Sequence, residues 1–122
     1  MSPISGVGVD AVDVARFGAV LARRPHIAER LFTDGERRAA AGDPQRLAAR
    51  FAAKEATMKA LGTGIGGVGW HDVELERAGL GPPSLRLRAA AADLADRQGV
   101  SRWHVSITHT ATVAVAMVVA EG

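Results

Sequence analysis

The residues able to do chemistry in this 122-residue chain gather in three places. The densest is Arg50 to Ile65, RFAAKEATMKALGTGI, where Arg50, Lys54, Glu55 and Lys59 stand among Ala, Met and Leu, which are good helix formers. Glu55 and Lys59 are four apart and share one helix face; Arg50 and Lys54 share another. A Glu with Lys four residues on is ordinarily a solvated ion pair worth a few tenths of a kcal/mol. Composition argues for more here, because Lys54 and Lys59 are the only lysines among the 15 basic residues. Lys, unlike Arg, loses its proton when desolvated and can serve as an acid or base. The second place is Asp10, within the apolar stretch ISGVGVDAV of Ile4 to Val12. A carboxylate there costs free energy unless it is paired or binds a cation. It is either hydrogen-bonded to a helix end or a metal ligand. The third place is Ser106 with His109, in WHVSITHT. No acidic residue or oxyanion motif accompanies them, so they suit hydrogen-bond donation to a phosphate better than nucleophilic attack.

These groups need elements to hold them. Ile4 to Val12 alternates as a strand, with Val7, Val9 and Ala11 on one face and Gly6, Gly8, Asp10 and Val12 on the other. Its Gly-x-Gly lacks the third glycine and the βαβ context of a dinucleotide site; the glycines instead clear space on the face that carries Asp10. Asp13 caps a helix over Val14 to Ala22, which Pro25 ends. A short helix follows from Ile27 to Leu31. Thr33 and Glu36 form a capping box that opens a helix to about Ala41, and Gly42-Asp43-Pro44 starts the central helix. Gly62 and Gly64 close that helix and enter a loop with five glycines, to Gly69, whose amides can wrap an anion. Trp70 to Arg77 reads as a strand, Gly79 to Pro83 as a turn, Leu85 and Leu87 as a short strand, and Arg88 to Gln98 as a helix stopped by Gly99. Arg102 to Thr108 and Thr112 to Ala120 form a terminal hairpin, with His109-Thr110 at its turn. The last segment is apolar on both faces and reads as an interior strand. The expectation is an α+β fold: one domain over residues 1–122, with a mixed, mostly antiparallel sheet of about five strands on a long central helix and several short ones.

Composition limits the function. The chain has no cysteine, which excludes disulfides, thiolate nucleophiles and Cys-based zinc sites. Aromatics are 4% with no Tyr, so the core is aliphatic and Ala-rich and leaves room for a partner subunit. The formal charge of +2 and pI near 9.9 favour anionic partners. Nucleic acid is disfavoured, since the basic residues are not interleaved with aromatics. Neither a signal peptide nor a membrane span is visible, and a cytoplasmic protein is expected. Arg23, Arg24, Arg30, Arg37 and Arg38 form either a solvated basic face or a docking surface for an acidic partner.

Three stretches stand in order: Gly6-Val7-Gly8-Val9-Asp10 followed by Arg16-Phe17, Arg50-Phe51-Ala52-Ala53-Lys54-Glu55-Ala56 with Lys59-Ala60-Leu61-Gly62, and Trp103 to His109. Together they closely resemble the holo-acyl-carrier-protein synthases, the small single-domain class of the 4′-phosphopantetheinyl transferase superfamily. The resemblance implies transfer of the phosphopantetheine arm of coenzyme A to a serine of apo acyl carrier protein, with Mg²⁺ held by Asp10 and Glu55. It also implies a homotrimer with sites between subunits. On that footing Glu55 is the base, Lys59 stabilises or protonates the leaving bisphosphate, and Arg50, Lys54, Gly62, Gly64, Ser106 and His109 hold coenzyme A. Arg16, Arg23 and Arg24 would meet the acidic helix of the carrier protein. Two other classes remain to be weighed: a non-catalytic module for an anionic partner, and a nucleotide hydrolase using the same carboxylates.

Overall fold

The computed structural model describes residues 2–64 and 66–122; Ile65, at the end of the central motif, lies outside the described residues. The order is β1 (Ile4–Asp13), α1 (Val14–Arg23), α2 (His26–Leu31), α3 (Asp34–Ala40), α4 (Pro44–Ala60), a 3-10 turn (Trp70–Asp72), β2 (Val73–Arg77), β3 (Pro83–Leu87), α5 (Ala89–Arg97), β4 (Arg102–His109) and β5 (Val113–Glu121). Among the described residues no helix is long and apolar enough to cross a membrane.

Local signals start the helices where the sequence placed them. The Asp13 carboxylate accepts from Arg16 N at 2.8 Å and turns the chain from β1 into α1. Thr33 and Glu36 make the expected reciprocal box, with bonds of 3.2 and 3.0 Å. Asp43 caps α4 through Gln45 N at 2.9 Å, with Pro44 at the first helical position, where its missing N–H costs nothing.

The five strands form an α+β fold, but in two antiparallel sheets rather than one mixed sheet: β1-β5-β4, and the hairpin β2-β3. No backbone ladder joins β3 to β4; Leu85 of β3 and Trp103, Val105 and Ile107 of β4 instead pack on one buried cluster. Trp70 to Asp72 is helical, not strand, because the Asp72 carboxylate folds back to accept from Gly69 N at 3.1 Å. Trp70 then stacks on Phe51 with ring centroids 5.3 Å apart.

α4 lies across β1 and β5, and the fit is set by absent side chains. A Cβ built at Gly8 would sit 1.8 Å from the carbonyl oxygen of Ala56, and one at Gly6 2.0 Å from that of Ala60. The helix answers with Ala52, Ala53, Ala56 and Ala60, and β5 with Ala116 and Val118, all buried. The opposite face of the sheet is open. Val7, Val9 and Met117 are 59%, 58% and 51% exposed, and each is paired in register across β1 and β5. The expectation that β5 is interior therefore holds for its place in the sheet and for one face only.

Gly8→Ala is expected to lower stability by about 3 kcal/mol, since a backbone carbonyl cannot yield as a side chain would. Gly64→Ala, where an added Cβ meets nothing within 4 Å, is the control and should melt near the parent. A parental melting temperature for Gly8→Ala would contradict the close approach.

Candidate functional site

β1 runs antiparallel to α4, so Asp10, two residues beyond Gly8, comes under the helix flank that carries Glu55 and Lys59. The Lys59 ammonium donates to Val9 O at 2.9 Å and to the Asp10 carboxylate at 3.2 Å. Burial raises the Glu55 pKa above its ordinary value, the Asp10 charge raises it further, and Lys59 partly offsets both. Two carboxylates held beside a single ammonium, one of them with its ionisation opposed by the other, make a cation-seeking cluster. Their hard oxygens fit Mg²⁺, which commonly takes one or two carboxylates and fills its shell with water and substrate oxygens. No group of three or more His, Cys, Asp or Glu side chains forms among the described residues, so the protein offers a partial shell and not a closed cage.

A second cluster lies on the other flank of α4. Arg50 is five residues before Glu55, about 140° away around the axis. It is 8% exposed, donates to Arg46 O at 3.2 Å, and buries its Nε without a partner among the described residues. Burial lowers its pKa; Glu36 opposes that, while Arg46 and Arg77 add to it. Arg46, Arg50, Arg77, Thr108 and His109 line a cavity of about 560 Å³ beside the β2–β3 turn. Guanidiniums crowded this closely need anionic charge between them, and their fork geometry suits phosphate oxygens.

The structure thus brings Asp10, Glu55 and Lys59 together, and Arg50 with His109, but not the two groups with each other. Asp10 pairs with Ala116, which pairs with Ile107, so the clusters straddle a sheet two strand spacings wide, roughly 10 Å.

One expected coenzyme A contact is corrected. Lys54 is 0% exposed and ion-paired with Glu36, out of reach of any ligand, because its stem runs inward towards β2 instead of outward. Ser106 pairs with Met117 on the open sheet face, apart from the arginine cavity of its own chain. Gly62, with φ of 73°, turns the chain out of α4, and Gly64 follows it, both exposed just past Lys59. Arg16, Arg23 and Arg24 are exposed on and just after α1. Arg46 and Arg77 were missed. Arg46 is signalled by its place four residues before Arg50, whereas Arg77 reaches the cavity only through the β2–β3 hairpin.

A model of the 4′-phosphopantetheinyl transferase superfamily matches residues 6–118. A holo-[acyl-carrier-protein] synthase of Frankia alni is 56% identical over 118 residues, covering 97% of this chain and 98% of that protein. The crystal structure of the holo-[acyl-carrier-protein] synthase from Neisseria meningitidis superposes with a TM-score of 0.88 at 35% identity, covering 98% of this chain and 100% of that one. A Bacillus anthracis holo-(acyl-carrier-protein) synthase in complex with CoA (3′,5′-ADP) gives 0.80 at 35% identity, over 99% and 98% of the chains.

The raised Glu55 pKa has a consequence in metal-free protein. A carboxyl whose folded pKa lies above its unfolded one costs stability as pH rises through the carboxylate range. In chelator, Glu55→Gln should therefore melt above the parent at about pH 7, and the gap should close at about pH 4. A parent that melts higher at neutral pH would contradict the crowding of Glu55 by Asp10.

Proposed function

The chain belongs to the 4′-phosphopantetheinyl transferase superfamily, among its holo-[acyl-carrier-protein] synthases, and we propose that Asp10, Glu55 and Lys59 are its reacting groups. The reaction is transfer of the 4′-phosphopantetheine of coenzyme A to a serine of apo acyl carrier protein, releasing adenosine 3′,5′-bisphosphate. The serine oxygen bonds to the phosphorus that bears pantetheine, and the bond from that phosphorus to the bridging oxygen breaks. Such a transfer depends on in-line positioning and on neutralising phosphate oxygens, with little covalent help from the protein.

Glu55 accepts the serine proton, a task suited to a carboxylate whose pKa is raised. Lys59 directs its ammonium at the oxygens of the departing bisphosphate. Asp10 and Glu55 hold Mg²⁺, which when bound supplies positive charge to the pyrophosphate. The observation that carries this reading is the cluster at the β1 edge: Glu55 made more basic by burial and then by Asp10, with Lys59 3.2 Å from Asp10. A hydrolase with the same carboxylates would need no acceptor protein, and a passive binding module would have no use for the crowded acids.

The phosphates of coenzyme A occupy the cavity of Arg46, Arg50, Arg77 and His109, with Gly62 and Gly64 near the transferred arm. Because the two clusters lie on opposite flanks of one chain, a complete site joins the Asp10 cluster of one subunit to the arginine cavity of another. The open apolar face of Val7, Val9 and Met117 supports such association, and a closed ring of three copies satisfies it by repeating one head-to-tail contact. Arg16, Arg23 and Arg24 receive the acidic carrier protein in the cytoplasm.

Subunit mixing tests the reading. Glu55→Gln and Arg50→Ala should each lose about a hundredfold or more in transfer, followed by the intact mass of the carrier protein. Co-expressed, they should recover about a quarter of the parental rate, because one interface in four then pairs two unaltered half-sites. Parental turnover by Glu55→Gln would remove it from the site; no recovery on mixing would place the whole site in one chain.

A further inference from the structure

Lys54 is the residue next to Glu55, yet the reaction leaves it unused. It is fully buried, and so is Glu36 of α3. The Lys54 ammonium lies 2.6 Å from Glu36 Oε1, donates to Trp70 O at 3.0 Å and to Val73 O, and stands 5.8 Å from the centre of the Phe32 ring. Glu36 Oε1 also accepts from Thr33 N at 3.0 Å, and its Oε2 accepts from Leu75 N at 3.0 Å. Every hydrogen of the ammonium and both carboxylate oxygens thus have partners on three elements around α4.

A pair this deep adds little net stability, because desolvation of both charges offsets their attraction. Burial depresses the Lys54 pKa, and Glu36 opposes that depression. What the pair supplies is direction. The face of α4 against the sheet is built of Ala52, Ala53, Ala56 and Ala60, and β1 meets it with Gly6 and Gly8. Small side chains allow close approach but offer few knobs to lock the helix about its own axis. A carboxylate about 6 Å from a helix axis moves roughly 2 Å for a turn of 20°. Displacements of about 1 Å are enough to cost transfer rates heavily.

We propose that Glu36 is a positioning residue for the transfer reaction: through its buried pair with Lys54 it fixes the rotation of α4 that turns Glu55 and Lys59 towards Asp10. The inference rests on the reading of Asp10, Glu55 and Lys59 as the reacting groups. Glu36 touches no substrate and acts only through the helix.

The double variant Glu36→Leu with Lys54→Met separates rotation from stability, since apolar residues often replace a buried ion pair without loss. It should melt near the parent, yet turn over about tenfold more slowly with KM for coenzyme A within about twofold, because neither replaced residue lines the arginine cavity. Glu36→Gln should show the same kcat loss at lower stability, and Glu36→Asp, which keeps the charge on a shorter arm, should recover part of the rate. Parental kcat in the double variant or in Glu36→Gln would overturn the proposal. If either fails to fold, Glu36→Asp decides: parental kcat overturns the proposal, and a reduced kcat with unchanged KM supports it. Glu55→Gln run in parallel keeps the two ideas apart. Its turnover, if retained, sinks the site assignment, whereas loss in Glu55→Gln beside parental rates in the Glu36 series sinks only the positioning role.

Discussion

The close approach of β1 to α4 is the constraint on which the rest depends. Two missing side chains, at Gly6 and Gly8, let a strand backbone lie against the carbonyl oxygens of Ala60 and Ala56. No other residue type fits there, and without that contact Asp10 would have no reason to lie beside Glu55 and Lys59. The approach converts a carboxylate inside an apolar strand, costly alone, into one member of a charged group with an ammonium 3.2 Å away. The same economy of side chains explains the composition: with a core face built from Ala and Gly, the chain folds with few aromatics.

Charge is sorted by the two flanks of one helix. Acids and a lysine face the β1 edge, arginines face the β4 end, and between them Lys54 is neutralised inside the protein by Glu36. Cation-seeking and anion-seeking groups are thus held apart in one chain, which prevents their collapse into ion pairs with each other. On the proposed reading, a pyrophosphate substrate with a divalent cation would supply what both clusters lack. The open apolar sheet face gives a physical means to bring clusters of separate chains together.

Much of this was legible in the residues themselves. The Asp13, Asp43 and Thr33–Glu36 caps place three helix starts, because capping is a local hydrogen-bonding matter. The glycines of β1 were readable as cleared space because they alternate with Val on the face of Asp10. Three things were not readable. Lys54 and Glu55 are neighbours with opposite fates, and only the packing of α3 and β2 decides which one is buried. Ser106 belongs to the motif, but strand alternation and the position of β5 send it to the open face. The division into two sheets, with β3 and β4 meeting only through side chains on a shared buried cluster, is a tertiary choice that alternation along β3 cannot express.

The central claim is that Asp10 and Glu55 hold one divalent cation between strand and helix. Titration of Mn²⁺ into the protein with coenzyme A present, followed by electron paramagnetic resonance of the free ion, tests it most directly. One tight ion per chain in the parent, weakened at least tenfold in both Asp10→Asn and Glu55→Gln, is the result this account requires. Undiminished binding in either variant would contradict it.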